Sequence, residues 1–142
     1  MRSLGLDVGE RRIGVALSDP EGIIATPFEM VLASGNGPES DIARVLELVR
    51  ENDAGLIVVG LPLSMDGSAG PQARRVQAFV NELSARAPVP VEVWDERLST
   101  VVSQRLMRDA GTKKRRRQER RDIAAAAVIL QGFLDRVRAS RS

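Results

Sequence analysis

Leu4-Gly5-Leu6-Asp7-Val8-Gly9 is an apolar run with one carboxylate in it, and after a turn the chain continues as a second run, Ile13-Gly14-Val15-Ala16-Leu17. Two short apolar runs joined by a glycine-containing turn predict a pair of antiparallel strands. Burying an ionised carboxylate without a partner costs a large free energy. We therefore expect Asp7 to be paired, protonated or bound to a metal ion.

The rest of the sequence predicts one α/β domain over residues 1–142. Strands are expected at residues 2–8, 12–18, 22–32, 56–60 and 91–94, and helices at 39–52, 71–87, 99–110 and 122–138. A three-strand antiparallel meander followed by two parallel strands that alternate with helices favours a five-stranded mixed sheet covered on both faces. This is the ribonuclease H-like plan.

The composition narrows the chemistry. The chain has no cysteine and no histidine, which excludes disulfides, thiolate chemistry, Ser-His-Asp triads and histidine-bound metals. A metal ion bound to Asp7 would need mainly oxygen ligands, which Mg²⁺ and Mn²⁺ prefer. No apolar stretch approaches the roughly 18 residues of a membrane span, and no signal peptide is visible. We expect a cytoplasmic protein without a membrane partner.

Charge is distributed unevenly along the chain. Residues 1–96 carry 8 basic and 15 acidic side chains, whereas residues 97–142 carry 13 basic and 4 acidic ones. Seven of the nine residues from Lys113 to Arg121 are basic. Such a run favours contact with a nucleic acid, and a solvated loop or a signal to other machinery is the alternative.

Four acidic residues occur near the ends of predicted elements. Asp7 lies on the first strand, Asp95 and Glu96 follow the fifth, and Asp122 opens the last helix. Sites in open α/β sheets form beyond the carboxyl ends of strands, so these acids predict a divalent-metal site with at least one raised carboxylate pKa. Three of them also have a structural alternative: a helix start for Asp122, a pair with Arg97 or with a distant surface arginine for Glu96, and a turn for Asp95.

Residues 61–70 form a long predicted loop before the second long helix. Ser68 and Gly70 are candidates to place backbone amides against a phosphate at the start of that helix. A polar connector is an equal alternative. The four aromatic residues, Trp94 among them, are expected in the core, which argues against an aromatic single-strand binder.

Several blocks together resemble the YqgF family, known as Holliday-junction-resolvase-like proteins and as proposed pre-16S rRNA nucleases. They span nearly the whole chain in order: residues 5–9, 11–16, 18–19, 60–62, 65–68, 70–71, 95–100 and 122–126. The resemblance implies a ribonuclease H-like fold and a metal-dependent nuclease whose acidic triad is Asp7, Glu96 and Asp122. It also implies two Mg²⁺ or Mn²⁺ ions that share Asp7.

The expected substrate is structured RNA, the 5′ end of pre-16S rRNA, with branched DNA as the alternative. Phosphate contacts are expected from the arginines near the acids and from the basic run: Arg11, Arg12, Arg97, Lys113, Lys114, Arg115, Arg116, Arg117, Arg120 and Arg121. Two other functions stay open, a non-catalytic RNA-binding assembly factor and a sugar-kinase or actin-like ATPase. The sequence does not distinguish a monomer from a homodimer.

Overall fold

The computed structural model describes residues 1–32, 38–99 and 114–141, with side chains at all of these positions except 38, 99 and 114–123. The strands are β1 (Arg2–Val8), β2 (Arg12–Ser18), β3 (Ala25–Leu32), β4 (Ala54–Leu61) and β5 (Val91–Asp95). The helices are α1 (Pro38–Glu51), α2 (Pro71–Arg86) and α3 (Lys114–Ser140), and a single 3-10 turn spans Glu96–Ser99.

The five strands form one mixed sheet in the order β3-β2-β1-β4-β5. β2 is antiparallel to both of its neighbours, whereas β1, β4 and β5 run parallel to one another. The predicted sheet is therefore confirmed. Because β1, β4 and β5 are parallel, their carboxyl ends lie at one edge, which we call the carboxyl edge.

The larger core lies between one face of the sheet and helices α1 and α2. Alternate strand residues such as Leu4, Leu6 and Val59 point into it, as the period of two along a strand requires. α1 and α2 supply the opposing side chains at helical spacing, which are Ile42, Val45, Leu48, Val49, Val76, Phe79, Val80 and Leu83.

Within the described parts of the chain, α3 is the helix that covers the opposite face of the sheet. Ile129, Leu130 and Leu134 pack there against Val58 and the buried Trp94, so the expected core position of Trp94 is confirmed. The same expectation is wrong for Phe28 on β3, which is 46% exposed. No helix in the described part of the chain is both long and apolar enough to cross a membrane.

Two predicted boundaries are wrong. The last helix begins at Lys114 and not at Asp122, because lysine, arginine, glutamine and glutamate are all good helix formers. The basic run is therefore largely helical and not a loop. β3 begins at Ala25 and not at residue 22, since Asp19 accepts the amides of Ile23 and Ile24 and holds them in a turn. The helix predicted at 99–110 lies outside the described residues, apart from Ser99, which ends the 3-10 turn.

Candidate active site

Asp7 is the second-to-last residue of β1 and is half-buried. It stands near the carboxyl edge, as the predicted strand over residues 2–8 implies. Gly5 and Asp7 alternate with the core residues Leu4 and Leu6, so Asp7 lies on the face covered by α3. Its cross-strand neighbour on β2 is Gly14, which has no side chain to cover the carboxylate.

Glu96 reaches the same region from the other side of β4. It is the first residue after β5, and its Cγ lies 3.1 Å from the position that a β-carbon on Gly60 would occupy. β1 and β4 pair in parallel up to Leu6 and Val59, so the next residues along, Asp7 and Gly60, come level with each other. Asp7 and Glu96 therefore lie on either side of Gly60, and the missing side chain of this glycine lets Glu96 and Ile129 of α3 approach the strand closely.

The electrostatics of Glu96 differ from those of its neighbour Asp95. Burial, and then the charge of Asp95, raise the pKa of Glu96 above its ordinary value. The side-chain hydrogen bonds from Arg97 lower the pKa of Asp95. Both causes disfavour the ionised form of Glu96, as expected for a carboxylate that binds a cation.

Asp95 has the structural role that the sequence left open for it. It accepts the Arg97 amide at 3.0 Å, which holds the 3-10 turn, and it pairs with the Arg97 guanidinium at 2.6 Å. The suggested pair between Glu96 and Arg97 is thereby replaced by a pair between Asp95 and Arg97. Glu96 faces Gly60 instead.

Asp122 lies inside α3, one helical turn before Ala126. The carbonyl oxygen of Ala126 is 3.1 Å from the position of a β-carbon on Gly5. Farther along, Leu134 approaches Gly22 at the opposite edge of the sheet. The chain of α3 therefore runs away from the carboxyl edge, and Asp122 is on the turn nearest to Asp7. The side chain of Asp122 lies outside the described set.

The donor set of this edge suits a hard divalent cation. Asp7 and Glu96 offer only oxygen ligands, and the raised pKa of Glu96 is what a nearby cation would offset. Among the side chains that the structure describes, no group of three or more possible metal ligands comes together. A third carboxylate would have to come from outside that set.

The predicted phosphate contacts divide into three groups. Arg11 is exposed and Arg12 half-buried, both at the carboxyl edge between β1 and β2. Six candidates lie in the first two turns of α3, while Lys113 lies outside the described residues. These six are Lys114, Arg115, Arg116, Arg117, Arg120 and Arg121. The third group is Arg97, whose guanidinium binds Asp95 and the Met65 carbonyl.

The predicted phosphate loop is closed on itself. The amide and the hydroxyl of Ser68 both donate to Asp66 Oδ1, at 2.9 and 2.7 Å. Gly70 precedes Pro71 at the start of α2, and its carbonyl accepts the Arg74 amide at 3.0 Å. A phosphate at Ser68 would have to displace the Asp66 carboxylate. Phosphate binding by Ser68 and Gly70 stays a prediction.

Two glycines that shape the site were not identified from the sequence. Gly5 and Gly60 both lie inside strands, where a β-carbon would collide with α3 at 2.7 Å and 2.4 Å respectively. A glycine in a strand interior commonly marks the close approach of another backbone or a ligand. This rule was the available sequence signal for both glycines. Gly60 ends the apolar run that begins at Leu56.

Comparison with known proteins shows the family of the chain. The RuvX family, described as Holliday junction resolvase, matches residues 1–136. A protein of Pelotomaculum thermopropionicum is 46% identical over 95% of this chain and 87% of its own length. One of Chloroflexus aggregans is 48% identical over 95% of this chain and 94% of its own. Both relatives carry the name "Putative pre-16S rRNA nuclease".

Solved structures support the same fold. RuvC of T. thermophilus, solved with a Holliday junction substrate, superposes with a TM-score of 0.69 over 100% of this chain and 98% of its own, at 17% identity. The fowlpox virus Holliday junction resolvase gives a TM-score of 0.56 over 96% of this chain and 99% of its own, at 13% identity. The family match over nearly the whole length confirms the resemblance to YqgF, and the chain belongs to the RuvX (YqgF) family.

Proposed function

We propose that this chain is a metal-dependent nuclease that hydrolyses phosphodiester bonds in structured RNA, with the 5′ end of precursor 16S rRNA as its substrate. The observation that carries the proposal is the placement of Asp7 and Glu96 on either side of Gly60 at the carboxyl edge. The RNA substrate is carried over from relatives 45–48% identical over at least 95% of this chain, whose printed names specify pre-16S rRNA.

In this proposal Asp7, Glu96 and Asp122 hold Mg²⁺ or Mn²⁺. Bound divalent ions would supply Lewis-acid stabilisation of the charge that develops on a phosphate during in-line displacement. The chain's own part is to hold acceptor oxygens at fixed positions. Burial keeps water away from Glu96 and raises its pKa, so its charged form is stabilised most when a cation is present.

Substrate binding is assigned to the basic residues along the same edge. Arg11 and Arg12 lie between β1 and β2, beside the turn that follows Asp7. The basic first turns of α3 extend the positive surface from the helix that also carries Asp122. Phosphate contacts of this kind hold the backbone without reading sequence. The substrate is therefore expected to be recognised by its shape and charge.

A panel of substrates tests the proposal. Wild type, Asp7→Asn and Glu96→Gln are each incubated with a precursor 16S 5′-end RNA and a four-way DNA junction, in Mg²⁺, in Mn²⁺ and in chelator. We expect metal-dependent cleavage of the RNA by wild type and no cleavage by Asp7→Asn or Glu96→Gln. Asp53→Asn is the matched control, because this exposed aspartate immediately precedes β4 at the opposite edge of the sheet, and it should cleave as wild type does.

The same panel evaluates a second candidate, resolution of four-way DNA, which the family description favours. Cleavage of the junction with no cleavage of the RNA would replace the RNA assignment. Full activity of Asp7→Asn would refute the site itself. Tight RNA binding by wild type without cleavage in either metal would favour a non-catalytic assembly factor.

A further inference from the structure

The guanidinium of Arg97 connects the turn that carries Glu96 to the neighbouring loop. Its Nε lies 3.0 Å from both carboxylate oxygens of Asp95, and its Nη2 lies 2.6 Å from Oδ2. On the other side, Nη1 donates to the carbonyl oxygen of Met65 at 3.2 Å. A single side chain thus spans from β5 to the loop of residues 62–70, which joins β4 to α2.

The 62–70 loop is folded around this contact. The Ser64 amide donates to the Ser68 carbonyl at 3.0 Å, and the Gly67 amide donates to the Ser64 carbonyl at 2.8 Å. Gly67 has a φ of +90°, and a β-carbon there would lie 3.4 Å from Arg97 Nη1. The backbone conformation at position 67 therefore favours a glycine, and the guanidinium lies within ordinary contact distance of this residue.

The arrangement leaves an apolar residue in solvent. The Met65 side chain is 83% exposed although its carbonyl is fixed by Arg97. Arg97 itself is only 31% exposed and Asp95 26%. All three nitrogens of the Arg97 guanidinium thus donate to oxygens of the protein. This geometry gives the arginine a structural role between β5 and the 62–70 loop.

We propose that Arg97 is a positioning residue that holds the 62–70 loop and the Glu96 turn in one rigid unit beside the substrate path, and does not bind a phosphate. Its catalytic consequence rests on the proposed nuclease function; its structural consequence does not. A lysine at this position keeps the charge but cannot hold Asp95 and the Met65 carbonyl together, since it lacks the planar fork of an arginine.

The experiment compares Arg97→Lys, Asp95→Asn and Arg11→Gln with wild type in three measurements. Amide hydrogen exchange at Ser64 and Gly67 reports loop order, kcat and KM report catalysis, and the salt dependence of RNA affinity in chelator counts phosphate contacts. For Arg97→Lys we expect exchange at least about 10-fold faster and kcat lower by about 10–100-fold with KM little changed. Its salt slope should equal that of wild type.

Asp95→Asn separates positioning from charge. It keeps the arginine and removes a negative charge, so affinity for RNA should not fall, yet the loop should exchange faster and kcat should drop. Arg11→Gln should show the reverse pattern: a salt slope reduced by about one with wild-type exchange in the loop. Thermal unfolding of each variant verifies that the fold is retained.

Two results would overturn the proposal. One is wild-type exchange at Ser64 and Gly67 in both Arg97→Lys and Asp95→Asn. The other is normal loop exchange in an Arg97→Gln variant together with a salt slope reduced by about one, which would make Arg97 a phosphate contact. If wild type cleaves nothing, the proposed function fails, and the exchange measurement still decides whether Arg97 orders the loop.

Discussion

Glu96 packs against Gly60, with its Cγ 3.1 Å from the place of the absent β-carbon. Ile129 of α3 reaches the same point from above the sheet, with its Cδ1 at 2.4 Å. A turn after β5, a helix and the inner strand β4 therefore meet at one glycine. Since Asp7 is level with Gly60 on the neighbouring strand, this glycine lies between Asp7 and Glu96.

Gly60→Ala should disrupt the site and the packing of α3 together. The new methyl group would overlap Ile129 and press on Glu96, so we expect a loss of about 1–3 kcal/mol in the free energy of unfolding. Displacement of Glu96 should lower kcat by on the order of 10²-fold. Chemical denaturation and single-turnover cleavage measure the two effects.

Gly70→Ala is the control for this substitution. Apart from its chain neighbours, no atom of the described residues lies within 4 Å of a β-carbon at Gly70, and its φ of −77° is accessible to alanine. We expect stability and cleavage close to wild type. A Gly60→Ala variant as stable and as active as Gly70→Ala would show that Glu96 does not depend on the space above Gly60.

Gly5→Ala should separate α3 from the sheet. Its β-carbon would stand 2.7 Å from Leu130 Cβ and 3.1 Å from the Ala126 carbonyl oxygen. Both of these atoms are fixed to the helix backbone, so no rotamer change relieves the overlap. We expect a loss of about 1–3 kcal/mol or somewhat more, measured by urea denaturation.

A second substitution checks that reason. Leu130→Ala keeps its β-carbon, so combining it with Gly5→Ala should not restore stability. Leu130→Gly removes that atom, and the double variant should be less unstable than the sum of its single changes predicts. Strict additivity of Gly5→Ala and Leu130→Gly would contradict a direct overlap between these positions.

Asp19 predicts a pH dependence of stability at the edge remote from the site. Hydrogen bonds from the amides of Ile24 and then Ile23 help to lower the pKa of Asp19 below its usual 3.8. A carboxyl whose pKa is lower in the folded than in the unfolded state stabilises the fold above its unfolded pKa, and that contribution disappears as the pH falls through the folded value. Wild type should therefore be more stable than Asp19→Asn at neutral pH.

Thermal unfolding of wild type and Asp19→Asn as a function of pH tests this direction. The difference in Tm should be full above about pH 5 and should shrink below the ordinary value of 3.8. A constant difference down to strong acid would mean that the charge of Asp19 contributes nothing and that only its turn geometry matters.

Two pairs of arginines, one near each end of α3, test where the nucleic acid lies. Arg116→Gln/Arg117→Gln removes two charges near the start of the helix, and Arg136→Gln/Arg141→Gln removes two near its far end, with Arg141 just past the last helical residue, Ser140. If the first pair contacts phosphates, the slope of log K against log salt should become less negative by about 1–2 for that variant only. Equal slopes for both variants would indicate that net charge alone sets the affinity.

Much of the architecture followed from local pattern. The alternation around Leu4 and Leu6 and the continuous run from Leu56 to Val59 predicted strands, and the helices 38–51 and 71–86 were predicted to within one residue at each end. Boundaries failed where charge or turn chemistry overrode the simple pattern. The basic residues before Asp122 extended a helix, and Asp19 drew Ile23 and Ile24 out of a strand.

The choice among the acidic residues depended on contacts that no local pattern contains. From the local pattern alone Asp95 and Glu96 were equivalent, because both follow the same strand, and only the family resemblance selected Glu96. The structure separates them, since Asp95 is paired with Arg97 and Glu96 packs against Gly60. The same contacts underlie our proposal for Arg97, which the sequence grouped with the phosphate-binding arginines.

The sequence alone was sufficient to predict the sheet, its two covered faces and the family, because hydrophobic periodicity and motif order are properties of the linear chain. Only the folded chain decided that Glu96 packs against Gly60 and that Arg97 reaches the Met65 carbonyl. Those outcomes depend on strands and helices that are distant in sequence and on the space that Gly5 and Gly60 leave between them.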